Sequence, residues 1–383
     1  MGFTSQDDLI TQITAGKYLR REGSKLITPA DTAGGWRCLM GMAGNPVAST
    51  FPGTTLLWQN CDENVGDGTN IFGINNGGAV SPATKHIINV GALLVAAAGA
   101  PWQAKLVDLQ GYYRLSGTDV TGTGSRTLIN SNTVTFSSSS GLLATFTNDF
   151  ASGTKVRFTT SGALPTGLAI NTDYWLVRVS ATTARIATSY ANYVAGTVIA
   201  FTDAGTPTTT MTIQMPRYAK GVGCLAAFVV GTAPTGGGPN LSASSYTNSA
   251  ATAGRAFTGS PTMGVAADAY AGRILHSGNA AGRYGPFLPL ASGDQGVASV
   301  ESFTFSGGTA YTGSGVLGLA IMKPLLDLAL PVSGMWSERD LVNQLPSFPQ
   351  VQDGACLAWL LYSTGATTAA SPFTFDLDFA WGG

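Results

Sequence analysis

Apolar positions along this chain come in short runs, which glycine, serine, threonine and proline interrupt every few residues. Runs of this length between turn-forming residues are typical of short β-strands rather than of helices. In the last run, large apolar residues alternate with polar or small ones over residues 373–381. Such alternation predicts a strand with one buried face. Strands are predicted at 56–58, 104–109, 111–115, 224–230, 300–305, 316–322, 355–362 and 373–381.

Residues 127–213 form a separate module in this pattern, because Gly- and Thr-rich turns at 121–125 and 203–207 border them. Five or six short strands in a stretch of this length predict a small β-sandwich or a partly open barrel. The predicted strands lie at 142–147, 155–160, 174–179, 184–187 and 198–202, with a turn at 164–167. Further turns are predicted at 66–68, 75–78 and 81–82.

The simplest architecture is therefore mainly β. Residues 1–126 and 214–383 form one split domain, a β-sandwich of jelly-roll-like type. Residues 127–213 interrupt it as an inserted small β-sandwich or barrel. The Gly-, Ser- and Ala-rich stretch 231–272 shows no clear periodicity, so no element is predicted there.

Two helices are predicted. The first covers residues 5–21, with Ser5 as its N-cap and Asp7 and Asp8 in the first turn, which suits the helix dipole. Its last turn would contain Lys17, Arg20 and Arg21. Its narrow apolar stripe fits either packing on its own domain or an arm that docks on a neighbouring subunit. The second, short helix is predicted to begin within residues 337–341.

The chain carries little charge. Charged residues make up 11% of the sequence, against roughly 25% in an average globular protein. The formal net charge is −1, so phosphate neutralisation would add little affinity and direct nucleic-acid binding is not expected. A surface with so little charge favours burial in an assembly over life as a concentrated free monomer.

The sequence predicts neither a membrane-spanning segment nor a disulfide framework. The first residues are polar and acidic, unlike a signal peptide, and the apolar run at 87–100 is too short to span a bilayer. The four cysteines, which lie far apart and form no CxxC pair, are expected to be core thiols: Cys38, Cys61, Cys224 and Cys356.

No residue pattern indicates a cofactor or metal site. Gly313, Gly315 and Gly318 match a dinucleotide-binding string, but a chain this rich in glycine contains about one such match by chance, and a strand is expected to follow where a helix is needed. His86 and His276 have no further ligand at zinc-type spacing, so both are expected to be hydrogen-bonding histidines.

The carboxylates and aromatic residues also favour structural roles. Asp376 and Asp378 lie two apart on one strand face, where they would point the same way rather than flank a substrate, so we expect them on a solvated face. Turn positions are expected for Asp62, Glu63, Asp67 and Asp294, and core positions for Trp36, Trp58, Trp102 and Trp175. We therefore predict no catalytic, cofactor-binding or metal residues, and no enzyme.

Two sets of motifs resemble phage proteins. GTKVRF at 153–158, LPTGL at 164–168, DYWLV at 173–177 and ARIATS at 184–189 resemble a small β domain of phage tail, fibre and decoration proteins. SPATKH at 81–86, GYYR at 111–114, GPFLPL at 285–290 with GD at 293–294, and SERDLVNQLP at 337–346 resemble a family of tailed-phage virion proteins. Members of that family run almost directly from the equivalent of 127–128 to that of 215–218, which implies that residues 130–213 are an optional insertion.

The resemblance implies a virion structural protein. The leading expectation is a capsid decoration (cement) or auxiliary head protein, a homo-oligomer such as a trimer. It would bind the major capsid protein through its split domain, with the inserted module projecting. Assembly would take place in the bacterial cytoplasm, with no cofactor, membrane or nucleic acid. The alternatives are a tail or fibre component that binds a host-surface glycan and, third, a polysaccharide depolymerase, which would need a paired acid and base.

Overall fold

The computed structural model describes most of the chain. The described ranges are residues 3–28, 34–48, 51, 56–63, 73–95, 101–120, 124–137, 143–205, 209–263, 271–277, 285–307, 310–312, 315–344, 348–363 and 370–382. The predicted turn at 66–68, Asp67 and the first two residues of the glycine string, Gly313 and Ser314, lie outside these ranges.

The first helix is confirmed but is shorter than predicted. Helix α1 (Gln6–Thr14) begins after Ser5, whose hydroxyl accepts a hydrogen bond from the Asp8 backbone N–H. The chain turns after Thr14 and enters a strand at Tyr18, so placing residues 17–21 in a last helical turn was wrong. Pairing with the C-terminal strand outweighs the helix-dipole preference of those basic residues. Leu9 is buried against the body of the chain.

Strands dominate the rest of the described chain. The helices α2 (Gly117–Val120) and α3 (Tyr190–Val194) are short. The strands are β1 (Tyr18–Ile27), β2 (Gly35–Cys38), β3 (Gly44–Asn45), β4 (Trp58–Asn60), β5 (Thr84–Leu94), β6 (Trp102–Leu115), β7 (Gly124–Thr127), β8 (Ser131–Ser137), β9 (Leu143–Phe146), β10 (Lys155–Thr160), β11 (Asp173–Ser180), β12 (Thr183–Ala187), β13 (Thr209–Ile213), β14 (Leu225–Thr232), β15 (Thr235–Gly236), β16 (Asn240–Asn248), β17 (Val297–Ser306), β18 (Tyr311–Thr312), β19 (Val316–Leu330), β20 (Ser337–Asp340), β21 (Gln350–Val351), β22 (Leu357–Ser363) and β23 (Ser371–Gly382).

Two six-stranded antiparallel sheets form a sandwich. The first sheet has the order β20-β5-β23-β1-β3, and β21 also pairs with β5. The second has the order β14-β19-β6-β22-β2, and β4 also pairs with β6. The predicted mainly β fold with a short N-terminal helix is confirmed.

The sandwich core follows the alternation seen in the sequence. Alternate residues of β23 are buried between the sheets: Phe373, Phe375, Leu377 and Phe379. They face alternate residues of β6 and β22, including Trp102, Ala104, Leu106, Trp359 and Leu361. Each fully buried side chain of this size contributes about 1.5–3 kcal/mol by leaving water.

The inserted module contains a closed barrel, with the strand order β10-β11-β12-β9-β8-β13 and β13 paired back to β10. Its interior is filled by alternate side chains such as Val134, Phe136, Phe158 and Leu176. The prediction of a strand at 198–202 was wrong. That segment is irregular, although Phe201 enters the barrel core. β8 and β13 were missed because most of their residues are Ser, Thr and Asn.

Two further predictions were wrong. The stretch 231–272 contains strand β16, which pairs with β17 in a three-stranded sheet completed by β7. Residues 337–340 form strand β20 rather than a helix, because they pair with the edge of β5 at residues 89–92.

The division into a split domain and an inserted domain stays a prediction. Apolar residues of the barrel and of the split part form one continuous hydrophobic cluster.

Candidate functional site

A buried ion pair joins the end of the barrel to the sandwich. Arg217 follows β13 by four residues, and its guanidinium donates to both carboxylate oxygens of Asp108 in β6 (Nε–Oδ2 2.9 Å, Nη2–Oδ1 2.8 Å). Both side chains are almost fully buried. Burial alone would lower the pKa of Arg217, but the charge of Asp108 holds that pKa above its ordinary value. The Arg217 guanidinium is therefore charged.

Backbone groups complete this ion pair. Arg217 also donates to the carbonyl oxygens of Cys61 (2.9 Å) and Leu109 (2.7 Å), and Asp108 accepts from the Cys356 N–H (3.0 Å). One guanidinium thus holds the loop after β4 against β6. The nearby charge of Asp62 also raises the pKa of Arg217.

The start of the barrel is held in a similar way. The Asn130 side chain donates to the Val300 carbonyl (2.8 Å) and accepts from the Tyr113 hydroxyl. The Ile213 N–H donates to the Asn130 carbonyl (2.9 Å), so the two ends of the barrel lie side by side. Burial raises the pKa of Tyr113, whose hydroxyl stays protonated and available as a donor.

A cleft of about 550 Å³ lies beside the ion pair, between the barrel and the sandwich. The barrel contributes residues of β10, β11 and α3, and the sandwich contributes loops around residues 60–62, 79–85 and 350–353. Hydrogen bonds cross between these parts. Tyr190 donates to Asp62 (2.7 Å), and the Asn60 side chain donates to the Gly153 carbonyl (3.2 Å).

Trp175 is the residue whose role the sequence analysis missed. Trp36, Trp58 and Trp102 are buried as predicted, but Trp175 is half-buried and lines the cleft. The sequence already indicated the outward position of Trp175. Tyr174 and Leu176 alternate with Trp175 in β11 and point into the barrel, so Trp175 has to point outward. Tyr190 was not singled out.

A second surface is apolar. Val95, Val332, Met335 and Trp336 are exposed by 47%, 52%, 47% and 41%, and we call them the apolar patch. The Gly334 N–H donates to the Leu94 carbonyl (2.8 Å), which places the loop before β20 at the end of β5. The Trp336 ring lies directly on Gly91, where an added Cβ would be 2.4 Å from it. The patch therefore lies at the edge of the first sheet.

We expected Asp376 and Asp378 to lie on a solvated face of their strand. This expectation was wrong, because both residues are buried. Arg20 forms a salt bridge with Asp376, and Tyr18 donates to Asp378 (2.6 Å). Burial raises the pKa of Asp376, although Arg20 opposes this shift. The side chains of Tyr18 and Arg20 from the neighbouring strand β1, together with Trp336, bury this face, which alternation in β23 alone does not reveal.

The other carboxylates that the sequence singled out have intramolecular partners. Asp294 accepts from Arg255 (2.9 Å), Tyr246 and Asn248, and these bonds lower its pKa to about 2. Glu63 accepts from the Asn76 N–H (3.0 Å), while burial raises its pKa. No three acidic, His or Cys side chains among the described residues lie close enough to hold a metal ion.

The glycine string and the cysteines fall in structural positions. Beyond Gly315 the string continues into strand β19, which runs on through Pro324 to Leu330, so the expected strand is confirmed. All four cysteines are buried and free, and the Cys356 thiol lies beside Cys61, which raises its pKa. No helix in the described part of the chain has the length and hydropathy needed to cross a bilayer.

The two histidines are buried, His86 between Phe3 and Phe348 and His276 with almost no exposure. Burial lowers the pKa of both, that of His276 to about 3.

The low pKa of His276 predicts loss of stability in acid. Below about pH 6.5 an unfolded chain binds a proton at this histidine, whereas the folded chain does so only near pH 3. Stability should therefore fall as the pH falls, by about 2 kcal/mol between about pH 7.5 and pH 5. Urea unfolding over this pH range measures it. His276→Phe should flatten the profile and leave the smaller contribution of His86. An unchanged profile would contradict the prediction.

Comparisons with known proteins identify no family. No protein-family model and no curated protein matches the chain. Two solved structures, of the Gx and Gt strains of infectious bursal disease virus, align at 10% identity and a TM-score of 0.16, over 95% of this chain and 81% of theirs. A TM-score this low does not establish a shared fold.

Proposed function

We propose that the chain is a structural component of a tailed-phage virion, a decoration or cement protein that binds the head shell as a homo-oligomer. The observation that carries this proposal is the apolar patch. Monomeric proteins rarely leave a group of large apolar side chains exposed, and such groups mark interaction surfaces. The virion-type motifs at 81–86, 285–290 and 337–346 support the assignment to a phage particle.

The position of the patch suits binding to a shell. It lies next to the edge strand β20, and free strand edges are themselves available for pairing with another chain. The chain has a net charge of only −1, so neighbouring copies would repel each other little. A modest contact for each copy is enough on a shell, because symmetry repeats it many times. The proposed partners are the major capsid protein and further copies of this chain.

We also propose that the chain is not an enzyme. The described carboxylates that the sequence singled out, Asp376, Asp378, Asp294 and Glu63, are engaged with Arg20, Tyr18, Arg255 and the Asn76 backbone respectively. General acid–base catalysis needs a pair of groups that can reach a common substrate. These four carboxylates instead hold strands and loops together.

Met335→Asp tests the docking surface. The expected result is at least about tenfold weaker binding to heads that lack the chain, since burying an unpaired carboxylate at an interface is costly. Cosedimentation with purified heads measures it. Val194→Asp is the matched control, because Val194 is an exposed apolar residue on the barrel. Equal binding by both variants would contradict docking through the patch.

The alternative, a tail or fibre component that binds a host-surface glycan, differs in location. Mass spectrometry of separated heads and tails distinguishes the two. The head assignment predicts that the chain stays with heads, and recovery with tails alone would replace it by the alternative.

A further inference from the structure

The cleft between the barrel and the sandwich has the chemistry of a ligand site. Three half-buried aromatic side chains line it, those of Trp175, Tyr190 and Tyr218. The Gln350 and Gln352 amides lie at its sandwich side, and amides offer both donors and acceptors. Its volume of about 550 Å³ is within the range of small-molecule sites, roughly 300–1,000 Å³.

The aromatic side chains are held in place without a ligand. Tyr190 is fixed by its hydrogen bond to Asp62, and the Lys155 ammonium lies 5.4 Å from the centre of the Trp175 ring. Tyr218 has a left-handed backbone conformation (φ +50°), and Lys323 lies 5.5 Å from its ring centre. A site formed in advance loses little conformational entropy on binding.

The cations of the cleft are already neutralised or bound. Lys155 pairs with Asp173 (2.8 Å), and Arg217 pairs with Asp108. The Lys85 ammonium donates to oxygens of Asn76 (2.7 Å) and Gly78 (2.6 Å). An anionic ligand would have to compete with these contacts, so the cleft favours an uncharged ligand.

We propose that this cleft binds a neutral saccharide of one or two sugar units. The C–H groups of a sugar ring carry slight positive charge and pack against the negative faces of Trp175 and the two tyrosines. Sugar hydroxyls both donate and accept hydrogen bonds, which matches the Gln350 and Gln352 amides. The site is independent of whether the chain occupies the head or the tail.

The test uses the full chain on an array of neutral and anionic oligosaccharides, followed by calorimetry with the neutral oligosaccharide that binds best. Trp175→Ala should weaken binding by about tenfold or more, because stacking and ring burial are both lost. Gln350→Ala should also weaken it, and because Gln350 is exposed this change leaves folding intact. Trp336→Ala, which removes an exposed tryptophan that does not line the cleft, is the matched control and should bind sugar as the unmodified chain does.

Three results would overturn the proposal. They are no binding to any neutral oligosaccharide, binding to anionic glycans alone, and binding that both Trp175→Ala and Gln350→Ala leave unchanged. The head-docking proposal and the saccharide proposal can be tested separately, because Met335→Asp should change shell binding but not sugar binding.

Discussion

Replacing Arg217 with methionine is expected to lower the free energy of unfolding by about 3–5 kcal/mol. The substitution leaves the fully buried Asp108 carboxylate without its cationic partner, while the Cys356 backbone N–H still donates to it. It also removes the donors to the carbonyls of Cys61 and Leu109. Urea unfolding followed by circular dichroism measures the loss. Asp108→Asn should have a similar effect, because it leaves the buried guanidinium without its counter-charge.

The matched control for this prediction is Arg178→Met. Arg178 also forms a two-point pair with a carboxylate, that of Asp149 (2.7 and 3.0 Å), but both side chains are about one-third exposed. An exposed pair of this kind contributes about 0–1 kcal/mol. Equal effects of Arg178→Met and Arg217→Met would show that burial does not set the contribution of the Arg217 pair, and would contradict the role given to it.

Trp58→Ala is expected to cost about 3–5 kcal/mol, the usual range for removing a large aromatic side chain from a core. Trp58 is fully buried in the hydrophobic cluster that the barrel shares with the rest of the chain, and its ring packs edge-on against Tyr113 (centroids 5.2 Å apart). The ring also fills the space above Gly111, where an added Cβ would be 2.3 Å from it. Thermal or urea unfolding measures the effect.

Two further variants test why Trp58 matters. Trp58→Phe should cost less than Trp58→Ala, because it keeps an aromatic ring and removes an indole N–H that has no hydrogen-bond acceptor. Trp336→Ala, on the exposed patch, should change stability by less than about 1 kcal/mol. A loss after Trp58→Ala as small as that after Trp336→Ala would mean that the barrel and the sandwich do not depend on a shared core.

Much of the fold could be predicted from the sequence because strand burial alternates with a period of two. Residues 373–381 showed this alternation plainly, and β23 forms there. Strands with few apolar residues were harder, since β8 and β13 contain mostly Ser, Thr and Asn. The end of α1 and the identity of β20 were decided by pairing with distant strands, which local patterns do not show.

The cleft could not be predicted, because its parts are far apart in the sequence. Asp108 and Arg217 are separated by 109 residues, and Tyr190 is 128 residues from its partner Asp62. Only the closure of the barrel brings these segments together. One local signal was available, the outward position of Trp175 on a strand whose neighbouring residues point inward.

The location of the chain in the particle tests the central claim most directly. The proposed function predicts that a cryo-electron microscopy reconstruction of a tailed-phage particle containing the chain shows it repeated over the head shell. We expect the apolar patch, Val95 with Val332, Met335 and Trp336, to lie against the major capsid protein and the barrel to project outward. Density for the chain on the tail alone, or its absence from the purified particle, would contradict the account.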